Sequence, residues 1–126
     1  MIVIDTKNLI LGKRNNIIDE NDELVYWTQP DFSYKHRVHI YRADNSEVGY
    51  VQYKILSIQK DVEYYDYMDN RLEFSNYKIV NKKSNFEYDI VCDNDVTNIT
   101  HDGEKCYIES NTNLDKCLLL FFGNLK

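Results

Sequence analysis

The sequence predicts a mainly β protein: an antiparallel sheet of repeated hairpins, closed or strongly curled into a barrel around a short buried C-terminal helix. Three observations carry that expectation. Among 126 residues there are eleven Tyr but a single Ala (Ala43) and a single Pro (Pro30); scarce Ala disfavours a helix bundle, while Tyr and Ile suit pleated, half-buried surfaces. A short polar-to-aromatic core recurs at a spacing of 24 residues without gaps, as repeated supersecondary units do. The longest wholly apolar run, Cys117 to Phe122, stands near the C-terminus. The length fits one domain over residues 1–126, enough to bury a sizeable core.

Three copies define the repeat. Asn21-Asp22-Glu23-Leu24-Val25-Tyr26, Asn45-Ser46-Glu47-Val48-Gly49-Tyr50 and Asp69-Asn70-Arg71-Leu72-Glu73-Phe74 each place an Asn/Asp turn before an aliphatic residue and, two later, an aromatic. Upstream, Ile17, Tyr41 and Tyr65 share one position, Val38 and Val62 another, Ile40 and Tyr64 a third. A fading fourth copy contains Phe86-Glu87-Tyr88 and Asp93-Asn94-Asp95-Val96. Each unit reads as a β-hairpin. His36 to Tyr41 alternates with period two, and the following Asp44-Asn45-Ser46 supplies residues that tolerate left-handed backbone and bond their own main chain. A lone hairpin is marginal in water, so the copies pair laterally, and curling the sheet protects its edges. In the return arms Val48 and Tyr50 fall on one face and Tyr53 and Ile55 on the other, as Leu72 and Phe74 do against Tyr77 and Ile79. Either both faces are covered there, or a bulge near Gln52 and Asn76 resets the pleat.

At the C-terminus, Thr112 or Asn113 suits a helix cap, Asp115 its first turn, and Gly123 a left-handed stop. The run between is apolar all round, hence a buried core helix or a central strand; the caps and the lack of β-branched residues favour the helix.

With the Tyr-rich hairpins and this apolar segment, the chain resembles the tubby C-terminal-like superfamily, in its LURP-one-related branch. The segments carrying the likeness are Ile17 to Tyr26 and His39 to Tyr50, the latter followed by Lys54-Ile55-Leu56-Ser57. The likeness is best over residues 2–91, whereas 95–113 has little family character and the chain is short for the family. The resemblance implies a closed antiparallel barrel wrapped around a buried hydrophobic helix. It implies little about function: tubby proteins read phosphoinositide headgroups with a basic pocket, and the branch offers no catalytic motif to carry over.

Charge narrows the partners. Fifteen Lys and Arg against 21 Asp and Glu give a net charge of −6, which lacks the basic footprint for nucleic acid and disfavours acidic membranes. Asp5 interrupts the N-terminal apolar stretch and no cleavage site follows, so no signal peptide is read and a cytoplasmic location is expected. Cys92, Cys106 and Cys117 are an odd set without C-x-x-C spacing, which fits reduced thiols.

Four groups of residues are candidates for a site. Tyr26, Trp27, Tyr34 and Tyr67 are the aromatics suited to a protein interface, where rings bury large area with a polar tip. Lys35, Arg37 and His39, with Arg42 nearby, line one strand face and would make a small anion site; in this acidic chain a solvated strand face is the favoured explanation of them. Asp19, Glu20, Asp22 and Glu23, with Asp93 and Asp95, crowd turns; they serve turn chemistry, or match a basic protein patch or mimic nucleic-acid phosphates. Metal chemistry is not expected: His36 and His39 point to opposite faces of a strand, and nothing fixes His101, Cys106 and Cys92 around one ion. The calcium-loop order is absent, as are catalytic and phosphate-loop motifs, and no cofactor is expected. The reading is a non-enzymatic protein-binding module, with an acidic inhibitor or immunity-type protein blocking a basic site on a nuclease, and phosphoinositide binding, as alternatives.

Overall fold

The computed structural model describes residues 1–9, 12–34, 36–54, 62–110 and 113–125. Among the described residues eleven antiparallel strands form one sheet: β1 (Ile2–Asp5), β2 (Asn15–Asp19), β3 (Leu24–Pro30), β4 (Arg37–Arg42), β5 (Glu47–Tyr53), β6 (Val62–Asp66), β7 (Arg71–Leu72), β8 (Tyr77–Ser84), β9 (Glu87–Cys92), β10 (Asp95–His101) and β11 (Lys105–Glu109). One helix, α1 (Leu114–Gly123), follows. The spatial order β7-β6-β5-β4-β3-β2-β1-β11-β10-β9-β8 is a meander with one non-sequential join. There β1 inserts between β2 and β11, pairing Ile2 with both Asp19 and Ile108.

The repeat is real, but its first step is 23 residues rather than 24. In the β2–β3, β4–β5 and β6–β7 turns, the amides of Asp19, Arg42 and Asp66 each donate to the carbonyl four residues on. Their own carbonyls accept from Asp22, Asn45 and Asp69, which adopt left-handed φ of 62, 71 and 64°. Such backbone is sterically costly for most side chains and least so for Asn and Asp. The bulges obey the same offset: Val25 stands unopposed between Ile18↔Leu24 and Ile17↔Tyr26, and Val48 between Tyr41↔Glu47 and Ile40↔Gly49. Ile17 is therefore the counterpart of Ile40, both fully buried, and not of Tyr41 as the gapless alignment has it. The fourth turn also has a left-handed residue, Asp93 (φ 53°), but spans two residues between the paired Cys92 and Asp95.

The bulge at Val48 corrects the expected pleat switch near Gln52, which sits in regular register with Arg37. Val48, Val51 and Tyr53 join the core, while Tyr50 lies on the opposite face with His39 and Tyr65. Gly49 has no room for a side chain, because a Cβ there would run into the Tyr65 carbonyl. Ile55 and Leu56 lie outside the described residues.

The C-terminal run is a helix. Asn113 is its N-cap, its side chain accepting from the Asp115 amide at 3.0 Å; Thr112, the other capping candidate, lies outside the described residues. Residues Cys117 through Gly123 are buried, each large apolar side chain contributing about 1.5–3 kcal/mol relative to exposure. Gly123 is not a left-handed stop. It is the last helical residue, followed by the cap Asn124, and it is Gly because a Cβ would strike the Tyr64 ring.

Strands from both halves of the sheet order reach this helix, so the sheet curls around it. Tyr53 of β5 donates to the Phe122 carbonyl at 2.5 Å, Thr97 of β10 meets Cys117 Sγ at 3.4 Å, and Phe86 packs beside Phe121. The sheet is not closed: β7 and β8 remain its edges. Across that opening run edge-to-face contacts Tyr64–Phe74 (4.9 Å) and Phe74–Tyr77 (5.6 Å). The β8 edge carries exposed Lys78, Lys82 and Lys83 and a left-handed kink at Asn81, devices that discourage pairing with another chain. Among the described residues no helix is long and apolar enough to cross a membrane.

Candidate functional site

Antiparallel register puts the turns after β2, β4, β6 and β9 at one end of the sheet, together with the start of α1. The segments 19–23, 42–46, 66–70, 92–95 and 113–116 thereby bring together ten carboxylates (Asp19, Glu20, Asp22, Glu23, Asp44, Asp66, Asp69, Asp93, Asp95 and Asp115) against Arg42 and Lys116. At the opposite end charges are near balance: Lys7, Lys13, Arg14 and Lys54 face Asp31, Asp102 and Glu104 among the described residues. The turn end thus holds eight more carboxylates than basic side chains, an excess larger than the chain's net −6.

Several of those carboxylates accept bonds within their own turns. Asp19 Oδ1 accepts from the Asn21 and Glu23 amides at 2.8 and 3.1 Å. Asp66 Oδ1 does the same for Met68 and Asn70, both at 2.9 Å, and the Asn70 amide is the main cause holding its carboxyl below the usual range. At the second turn Arg42 occupies the equivalent place, and Asp44 instead accepts from the Ser46 hydroxyl and amide at 2.6 and 2.9 Å; its carboxyl is lowered by those bonds, the hydroxyl first.

Apolar side chains are exposed beside them. Tyr67 and Met68, each 63% exposed, tip the third turn, and Val96, Leu24 and Met1 are also exposed. Between the first two turns and α1 lies an open depression of about 550 Å³ with Ile2, Leu24, Val25, Tyr26 and Leu114 among its lining and Asp19, Glu20, Asp44, Asp115 and Arg42 around it. Asp115 organises one wall: it accepts from Tyr26 Oη and from Arg42 Nη2, each at 2.7 Å. Burial first, and then this bond, raise the Tyr26 phenol well above its ordinary value.

The aromatic candidates do not form one patch. Tyr26 is committed to Asp115. Trp27 is only 9% exposed, stacked on Tyr41 at 4.1 Å and covered by Arg14 at 4.1 Å. Tyr67 is exposed at the turn end, whereas Tyr34 is exposed at the other end, on the β3–β4 connection beside Phe32, which is 96% exposed. The Arg14–Trp27 stack recurs 23 residues on as Arg37 over Tyr50 at 4.4 Å, marking it as a feature of the repeat.

Two of the anion candidates come together, but on a carboxylate: Arg37 Nη1 and His39 Nε2 both face Asp31 Oδ2, at 3.8 and 2.6 Å. Lys35 lies outside the described residues. Arg37 donates to Gln52 Oε1 from Nε and Nη2 (3.1 and 2.7 Å) and is sandwiched between Tyr34 and Tyr50. His39 Nε2 meets Asp31 at 2.6 Å and Nδ1 meets Glu47, and the His39 bond is the main cause lowering the Asp31 carboxyl. Arg42 belongs to the turn end. The three described candidates thus already hold acceptors within the protein: Arg37 on Gln52, His39 on Asp31 and Glu47, and Arg42 on Asp115.

His101 Nε2 meets Thr6 Oγ1 at 2.7 Å, while Cys106 Sγ points to the Phe86 carbonyl. Among the described residues no three His, Cys, Asp or Glu are placed to hold one metal ion. Of the acidic candidates, all six stand at the turn end. Sequence reasoning missed Asp44, Asp66, Asp69 and Asp115 as their neighbours there, and Met68 and Leu24 as exposed apolar groups; the equal spacing of the turns was the available signal. In comparisons with known proteins, no family model, no curated protein and no solved structure matches this chain.

Proposed function

We propose that this protein is a non-enzymatic binding module whose acidic turn end docks on a basic protein. The observation that carries the reading is the gathering of ten carboxylates and several exposed apolar side chains at one end, beside a depression. Opposite potentials steer encounter and select partners, and apolar contacts then supply salt-resistant affinity. A partner that itself handles nucleic acid is the class best matched, because rows of carboxylates stand in for phosphates; on that reading the module is an inhibitor occupying a basic site. Arg37, His39 and Arg42 of β4 hold acceptors within the protein, which leaves the phosphoinositide reading without geometric support among the described residues. For the fold, the curled sheet reads as a barrel of tubby C-terminal-like type, completed across β7 and β8 by the Tyr64–Phe74–Tyr77 rings.

The test pairs two charge reversals, Asp22→Lys with Glu23→Lys at the turn end and Asp102→Lys with Glu104→Lys at the other. Wild type and both variants are used to capture proteins from the native host, and captured partners are re-measured at low and moderate salt. The expected result is a partner lost by the turn-end variant and retained by the other. Equal loss from both variants, or a partner of acidic surface, refutes the reading. Binding that collapses with salt favours the phosphate-mimicking inhibitor, and salt-tolerant binding favours the apolar contacts.

A further inference from the structure

We infer that the depression between the first two turns and α1 is an anchor pocket for one long cationic side chain, lysine or arginine, of the partner. The inference rests on the turn-end reading above and names which part of that end does the anchoring. Such a side chain needs an apolar channel for its methylenes and carboxylates for its head. Both are present: Ile2, Leu24, Val25 and Leu114 contribute the apolar lining, while Asp19 and Asp44 stand at the rim. Each of these two carboxylates spends Oδ1 on its own turn, and neither Oδ2 has a hydrogen-bond partner among the described residues. Asp115 is by contrast filled, one oxygen by Tyr26 and the other by Arg42. Of the two cations at the depression, Arg42 is thus held by Asp115 and the Met1 ammonium by Glu20 at 3.1 Å, which leaves Asp19 and Asp44 as the carboxylates without a cationic partner there. A depression of about 550 Å³ has room for a side chain of this kind.

The probe is n-butylguanidinium, with n-butylammonium beside it and with guanidinium and n-butanol as controls, titrated into isotopically labelled protein and followed by amide shifts. Saturable shifts at Leu24, Val25, Ala43 and Leu114 are expected from the two butyl cations and not from either control. Asp44→Asn keeps the turn acceptor and removes the charge, so it should weaken binding roughly twofold to fivefold. Leu24→Asn changes an exposed side chain and should weaken it comparably. Guanidinium alone matching butylguanidinium, or both variants binding like wild type, overturns the inference. A captured basic partner that perturbs only residues 67–69 and 93–96 overturns it while leaving the turn-end reading intact. A partner that perturbs neither region removes both.

Discussion

Replacing Gly123 by Ala sets two effects of opposite sign against each other. Gly123 is the last residue of α1, and Gly in a helix costs about 1 kcal/mol relative to Ala; intrinsic propensity alone makes the substitution stabilising. The tertiary surroundings reverse this. A Cβ at residue 123 would overlap the Tyr64 ring, with its Oη and two ring carbons the nearest atoms. Tyr64 is not free to swing away, because its ring packs edge-to-face on Phe74 at 4.9 Å, which in turn meets Tyr77. Forcing a methyl group into a packed site costs about 1–3 kcal/mol, so the net expectation is a loss of about 1 kcal/mol, or about 4 °C in Tm. Urea unfolding followed through the single tryptophan, Trp27, measures it. In the background Tyr64→Leu, which trims the obstructing ring, the Ala substitution should become neutral or stabilising, a coupling that exceeds the additivity error of about 0.5 kcal/mol. A Gly123→Ala protein more stable than wild type, or the same penalty in both backgrounds, would refute the steric account.

Two buried phenols should respond differently to removal of their hydroxyls. Tyr88 Oη is buried without a hydrogen-bond partner among the described residues, so Tyr88→Phe should leave stability unchanged or raise it, whereas Tyr53→Phe forfeits the bond to the Phe122 carbonyl and should cost about 1 kcal/mol or more in the same unfolding assay. Equal losses would sink the distinction. Acid stability follows from the turn carboxylates. Backbone bonds from Lys105 and Glu104, with a further bond from Tyr107, hold Asp102 down to about 2, and Asp31, Asp44 and Asp66 are lowered as well. Because each folded value lies below the unfolded one, these groups stabilise the fold fully above the ordinary carboxylate range. That contribution is lost as pH falls from about 4 toward about 2. Asp102→Asn should flatten the lower part of that acid limb in thermal melts; an unaltered limb contradicts the assignment.

Much of the local structure was legible because its causes are local. Asn and Asp at the turns announce left-handed backbone wherever they stand, and Asn113 with Asp115 marks a helix start within a few residues. The spacing of the first two copies was misread for a physical reason. Asn21 and Asp22 are nearly interchangeable as turn residues, so composition allows either register, and only the pairing of β2 with β3 shows that Asp22 takes the left-handed place. The bulge at Val48 leaves its mark as the change of phase along the return arm, which points to Gln52, four residues late, because alternation shows that the pleat resets and not where; the bulge at Val25 leaves no such mark. Gly123 was read as a stop because helix ends favour Gly, yet its role is to make room for Tyr64, a residue 59 positions away in sequence.

By itself, then, the sequence determined the hairpin repeat, the turn chemistry and the negative charge, and favoured a helix over a strand for the apolar C-terminal run; these depend on composition or on neighbours within a few residues. Tertiary structure decided what those elements do together. The insertion of β1 beside β11, the facing of Tyr50 away from the core and the Tyr26–Asp115–Arg42 contact join residues many positions apart, and nothing in short-range pattern encodes such distances. It also decided where the charge goes: carboxylates that look evenly spread along the chain recur at hairpin spacing, and antiparallel pairing folds that spacing onto one end of the molecule.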